Sequence, residues 1–253
     1  MKILSIGNSF SQDAHRWLYD ICKSVDIDVY NVNLYIGGCS LQSHWNKFCS
    51  DEEAYDYEVK ACSKGKVALR NALKAEKWDV ITFQQVSGDS GKYETYEPYL
   101  SDLFREVKAA CPNAKFYIHK TWAYEIGSEH SGFVAYNNDQ HEMYRCLSEA
   151  NIKASQSIGA EIIPSGDIIQ YLRDNTTEFD YKNGGLSLNR DGFHLSLGYG
   201  RFAAALTWYC KLFGGKASDI CVVPNWAAET GSEADEKILN IIKNAVDTVI
   251  IGE

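Results

Sequence analysis

Short apolar runs alternate along the chain with stretches whose apolar residues recur every three or four positions. The first run, Ile3-Leu4-Ser5-Ile6, predicts a strand over 2–6, and Trp17, Leu18, Ile21, Cys22 and Val25 then fall at helical spacing from Asp13 to about Val25. The same alternation predicts strands over 28–35, 78–83, 115–119 and 161–164. Trp78 to Phe83 is mostly apolar, broken only by Asp79 and Thr82, as a parallel strand covered on both faces should be. Helices are predicted over about 97–110, 138–158, 197–212 and 233–250, with Cys111-Pro112 closing the first and Gly214-Gly215 the third. Tyr55, Tyr57, Val59 and Ala61 alternate weakly, which suggests a small hairpin inserted near 52–68. Strand and helix succeed one another without repeats or low-complexity linkers. That succession predicts one α/β domain over 1–253, a doubly wound three-layer α/β/α sandwich on a five-stranded parallel sheet.

Composition narrows the partners. The chain has 253 residues, 45% of them hydrophobic, and a formal charge of -9. An acidic chain is poorly matched to nucleic acid or to an anionic membrane surface, both of which reward a basic face. No basic segment followed by an apolar core opens the sequence, and no apolar run reaches about 18 residues. A cytoplasmic protein is the expectation. The eight cysteines (Cys22, Cys39, Cys49, Cys62, Cys111, Cys146, Cys210 and Cys221) are scattered without a C-x-x-C pair. They read as reduced core thiols rather than as a zinc site or a disulfide framework, so the Asn175-Thr176-Thr177 sequon carries no meaning in that compartment.

Candidate chemistry sits at the two ends of the chain. The first strand runs into Gly7-Asn8-Ser9, and Asp191-Gly192-Phe193-His194 lies near the carboxyl terminus. A serine becomes a nucleophile when an imidazole takes its proton, and a carboxylate must fix that imidazole's tautomer. Taken alone, Ser9 could simply cap the following helix. An open parallel sheet, however, gathers functional groups at the carboxyl ends of its strands. Ser9 follows strand one, Gly37-Gly38 strand two, Gln84-Gln85 strand three and Trp122 strand four, so all converge on one rim with Asp191 and His194. Asn8, Phe10 and Trp122 are the candidate substrate-lining residues, and Trp122 with Tyr124 could wall a sugar-binding cleft. His119 reads as a packed core histidine. His130 and His141 lie in or beside a polar loop and helix face with no carboxylate cluster at ligand spacing, so neither a metal nor a cofactor is expected. Gly88-Asp89-Ser90-Gly91 breaks the G-x-S-x-G elbow, and no glycine-rich nucleotide loop occurs.

The order of these motifs resembles the SGNH (GDSL-type) hydrolases, in particular a DUF4886-like branch, over roughly residues 1 to 215. The resemblance implies a flavodoxin-like sheet with Ser9 as nucleophile, His194 as general base and then acid, and Asp191 as the orienting carboxylate. It further implies an oxyanion hole built from the backbone amides of Ser9 and Gly38 and a third, side-chain amide. Two departures stand out: Gly7-Asn8-Ser9 replaces the family's Gly-Asp-Ser, and its third block, Gly-x-Asn-Asp, is missing, with Phe83-Gln84-Gln85-Val86-Ser87 in its place. The third donor is therefore open. Counting along the strand puts it on Gly88, whereas matching Phe83-Gln84-Gln85 to a Trp-x-Gln pattern puts it on a glutamine, Gln85 ahead of Gln84. The implied activity is a serine esterase removing acetyl or another small acyl group from a carbohydrate. A lipid or thioester hydrolase and a catalytically silent carbohydrate-binding protein are the alternatives, and the missing third block favours the last.

Overall fold

A computed structural model describes residues 1–221 and 226–252. Seven strands form one sheet: β1 (Lys2–Gly7), β2 (Tyr30–Tyr35), β3 (Tyr55–Val59), β4 (Cys62–Val67), β5 (Val80–Phe83), β6 (Lys115–His119) and β7 (Glu161–Ile163). Their spatial order is β4-β3-β2-β1-β5-β6-β7. The five strands β2, β1, β5, β6 and β7 are parallel, in the doubly wound order that reverses direction at β1. The sheet thus exceeds the expected five strands by two. The extra pair is the hairpin near 52–68, which adds β3 antiparallel to the edge of β2 and β4 antiparallel to β3. Lys60 and Ala61 at its turn both have positive φ, 50° and 60°. A two-residue turn of that kind favours Asn-Gly, which is why Lys-Ala gives so faint a signal.

Ten helices among the described residues cover the sheet: α1 (Ser9–His15), α2 (Leu18–Ser24), α3 (Leu41–Ser50), α4 (Leu69–Ala75), α5 (Tyr99–Ala110), α6 (Gln140–Ile158), α7 (Ser165–Asn175), α8 (Tyr199–Phe213), α9 (Trp226–Thr230) and α10 (Glu236–Ile251). The helix expected from Asp13 to Val25 is in fact two, α1 and α2. A turn at Arg16 and Trp17 separates them, and there the Trp17 indole donates to the Leu197 carbonyl at 3.1 Å. Side chains along the strands alternate between two cores. Ile3, Val80 and Tyr117 pack with α1, α2, α7, α8 and α10, whereas Leu4, Ile6, Ile81, Phe83 and Ile118 pack with α3, α4 and α5. No described helix is long and apolar enough to cross a membrane. The described cysteines are all free, and Cys22, Cys39, Cys111 and Cys210 are buried as expected. Cys49, Cys62 and Cys221 are exposed, so the reading of them as core thiols is corrected; Cys62 begins the solvent-facing edge strand β4.

Candidate active site

The site begins with the junction between β1 and α1. Asn8 is the N-cap of α1: its Oδ1 accepts from the Phe10 amide at 3.0 Å, and Ser11 closes a reciprocal capping box. The same Oδ1 accepts from Gln84 Nε2 at 2.7 Å, and Asn8 Nδ2 donates to the Cys39 carbonyl at 3.1 Å. Asn8 thereby ties together the ends of β1, β2 and β5, and Ser9 opens the helix from a fixed point. Gly7 has to be glycine, because a Cβ there would lie 2.1 Å from Ser11 Oγ.

Ser9 Oγ lies 2.8 Å from His194 Nε2, and His194 Nδ1 lies 2.7 Å from Asp191 Oδ2. The other oxygen of Asp191 accepts from the backbone amides of His194, at 2.7 Å, and Phe193, at 3.2 Å. Burial pushes the Asp191 carboxyl up, but hydrogen bonds from the His194 ring and from these two amides outweigh it and hold the group below its ordinary value. The structure thus brings the three candidates together in hydrogen-bonding order. The loop that carries them is pinned on several sides. Asn189 Nδ2 donates to the His194 carbonyl at 3.1 Å, and the Trp122 indole donates to the Phe193 carbonyl at 2.7 Å.

A cleft of about 200 Å³ opens over Ser9, lined by Asn8, Phe10, Tyr35, Gly37, Gly38, Val86, Ser87, His130, Phe193 and His194. Gly38 has φ of +63°, a left-handed conformation that glycine adopts without strain, and the space beside it is open. Among the described residues, no acceptor takes the amide of Ser9 or of Gly38. Both amides are available to a ligand.

Three expected placements need correction. Trp122 is fully buried and does not line the cleft; it stacks behind Phe10 at 4.5 Å, so its contribution is to hold Phe10 and the Phe193 loop. Tyr124 is likewise buried, with its hydroxyl 2.8 Å from Ser87 Oγ. Gln85 turns away from Ser9: its Nε2 donates to Thr95, and its Oε1 accepts from the amides of Leu41 and Val86, both at 2.9 Å. The alternate, Gln84, is also engaged. With its amide nitrogen given to Asn8, its Oε1 accepts from His119 Nδ1 at 2.7 Å, which leaves His119 Nε2 to accept from Ser165 Oγ at 3.0 Å. His119 is the packed core histidine that its position suggests, and burial lowers it to about 3.

Tyr35, Val86, Ser87, His130 and Phe193 line the cleft without being expected there from the sequence, in which His130 is weighed only as a metal ligand and set aside. The rule that sites form after parallel strands could have found Tyr35 and Ser87, and Phe193 lies inside the Asp-x-x-His motif itself. His130 carries no such signal. Among the described residues no group of three or more His, Cys, Asp or Glu could hold a metal ion.

The family described as Domain of unknown function (DUF4886) matches residues 2–245. The chain belongs to the DUF4886 family. A DUF4886 family protein from Bacteroides uniformis has a crystal structure that this member resembles with a TM-score of 0.89 and 33% identity, over 99% of this chain and 95% of that one. The DUF4886 chain also shares its fold with a putative SGNH hydrolase from Slackia heliotrinireducens (TM-score 0.56, 23% identity, 82% of this chain and 96% of that one). An acetylxylan esterase from Geobacillus stearothermophilus, solved as a catalytic mutant, shares it too (TM-score 0.53, 11% identity, 83% and 93%). No curated protein matches the DUF4886 chain.

Proposed function

We propose that this chain is a serine esterase that removes a small acyl group, acetyl foremost, from a carbohydrate. One observation carries the reading: the unbroken contact from Ser9 Oγ to His194 Nε2 at 2.8 Å and from His194 Nδ1 to Asp191 Oδ2 at 2.7 Å. With the Nδ1 proton held by Asp191, the Nε2 lone pair faces the serine proton. Ser9 Oγ attacks the acyl carbon as His194 takes that proton. The carbonyl oxygen becomes an oxyanion, held by the amides of Ser9 and Gly38. His194 then returns the proton to the departing alcohol, leaving an acyl-serine, and a water activated by the same imidazole releases the acid. Each oxyanion donor is typically worth about 10²- to 10³-fold in rate.

The substrate class rests on size and likeness. A cleft of about 200 Å³ is smaller than the roughly 300–1,000 Å³ of ordinary small-molecule sites, so it suits an acyl group of few carbons. A lipid hydrolase would want a longer apolar groove. The carbohydrate half is taken from the acetylxylan esterase of the same fold. Hydrolysis of p-nitrophenyl acetate and of acetylated xylo-oligosaccharides, with Ser9→Ala as control, tests the reading. Turnover no greater than that of the variant would leave the silent binding protein standing.

A further inference from the structure

We propose that His130 is a catalytic residue of this site, the side-chain donor that completes the oxyanion hole through its Nε2–H. The proposal rests on the esterase reading and adds a residue to it. Three observations converge. His130 lines the same cleft as Ser9 and Gly38. Its Nδ1 accepts the Gly132 amide at 3.0 Å, so a neutral ring carries its proton on Nε2, and no described residue accepts that proton. Its ring is held between Tyr124 and Phe193, with both centroids at 4.7 Å, which fixes the direction of the N–H bond.

A fourth observation concerns what stands beside the ring. A Cβ placed on Gly88 would lie 3.8 Å from His130 Cε1 and 3.5 Å from Gly132 Cα. Gly88 is the position to which counting along the strand assigns the third donor, and it has no side chain. The imidazole, arriving from the loop after β6, fills that space. The other candidates are already spent: Gln84 on Asn8, Gln85 on Thr95 and Asn8 on the Cys39 carbonyl. Ser87 shares its hydroxyl with Tyr124, and the Tyr35 hydroxyl stands beside Gly37 at the rim, 3.2 Å from the Cβ that residue lacks.

A donor in this position must not compete with His194 for the serine proton. Burial, and then the neighbouring His194, push the His130 ring below its ordinary range, with Asp191 opposing, so His130 stays neutral while His194 cycles its proton. Neutral imidazole is a recognised electrophile of this kind.

The test compares His130→Phe, which keeps an aromatic ring between Tyr124 and Phe193 but deletes the donor, with His130→Gln, which restores an N–H. Three quantities are read on folded protein with an unchanged unfolding midpoint: kcat and KM on an acetyl ester, and the rate at which a p-nitrophenyl alkylphosphonate phosphonylates Ser9. In that adduct a P–O oxygen takes the oxyanion position. His130→Phe should lower kcat and the phosphonylation rate together by about 10²- to 10³-fold with KM little changed, and His130→Gln should recover part of both. An unchanged kcat and phosphonylation rate in His130→Phe overturns the proposal. So does a loss confined to KM, or a loss carried by Tyr35→Phe while His130→Phe is unaffected. Phosphonylation does not depend on knowing the natural ester. If wild-type turnover does not exceed that of Ser9→Ala, the esterase reading fails on its own while the phosphonate still reports on His130.

Discussion

Leu195 donates its backbone N–H to Asp13 Oδ2 at 2.9 Å, joining the residue after His194 to α1 one turn beyond Ser9. Asp13 is fully buried, and Arg190 Nη1 reaches both of its oxygens at 3.0 Å, while Arg201 Nε reaches Oδ1 at 2.8 Å. Arg190 also donates to the Leu195 carbonyl. One carboxylate therefore sets the distance between the helix that carries Ser9 and the loop that carries His194, two residues 185 positions apart in sequence.

Asp13→Ala should destabilise the protein by about 3 kcal/mol, because it takes the acceptor from the buried Leu195 amide and leaves the buried Arg201 with only Glu229 at 3.7 Å, while Arg190 is exposed enough to be solvated. Asp13→Asn keeps the shape and should cost less. In the asparagine variant, urea unfolding and steady-state kinetics together are the check. A positioning role lowers kcat more than it raises KM, and unchanged kcat in a destabilised variant would reduce Asp13 to a structural ion.

Ser9→Ala and His194→Ala should each abolish turnover, and the double variant should be no worse than either. Groups that act as one unit lose on the order of 10⁶ together and do not multiply. Multiplicative losses would break the triad assignment. Asp191→Asn should cost on the order of 10⁴, since the geometry survives while the tautomer is lost.

Gln85→Leu should affect stability more than rate. It leaves the amides of Leu41 and Val86 without their acceptor, and each unsatisfied buried group costs about 1–3 kcal/mol. Gln84→Leu should lower both, because Asn8 loses the donor that holds it beneath Ser9. Thermal unfolding and kcat measured on the two variants side by side separate these outcomes. A kcat loss of about 10² in Gln85→Leu with unchanged stability would return Gln85 to the oxyanion hole.

Acidification should unfold the protein early. His15, His44 and His119 are fully buried, and burial lowers each to about 3, against about 6.5 in the unfolded chain. Between those values the unfolded state binds more protons, so stability is complete above about pH 6.5 and falls as the pH drops toward 3. Each histidine contributes a slope of about 1.4 kcal/mol per pH unit once the unfolded chain is protonated. Burial raises Glu58 and Glu125, which opposes part of this slope. Denaturant unfolding from pH 8 to 4.5 should show the decline, and a flat profile would show that the three imidazoles are solvated or paired.

What could be read from the chain depended on how local the information was. Apolar residues mark β1, β2, β5 and β6 because a strand covered on both faces is mostly apolar, the buried Ser5, Asn33 and Thr82 being admitted on hydrogen bonds, and Asp191 and His194 mark themselves by a three-residue spacing. Gln84 and Gln85 are adjacent and chemically identical, and only their partners, Asn8 and Thr95, decide where each amide points. Trp122 has the same composition whether it walls a cleft or, as here, backs Phe10. His130 belongs to none of the site motifs, and the role proposed for it depends on Gly132, Gly88 and two aromatic rings that folding brings together.

The hairpin of β3 and β4 reaches further than the sheet edge. Glu58 on β3 accepts from Asn33 Nδ2 at 2.9 Å and from Gln12 Nε2 at 2.5 Å, and Asn33 Oδ1 accepts from Ser11 Oγ at 2.7 Å. Ser11 in turn closes the cap on Asn8. A segment that looks like a detachable ornament is thus the outer abutment of the helix that carries Ser9. Trimming it to make a minimal enzyme would loosen α1 from behind and leave β2 as an open edge, ready to pair with another molecule.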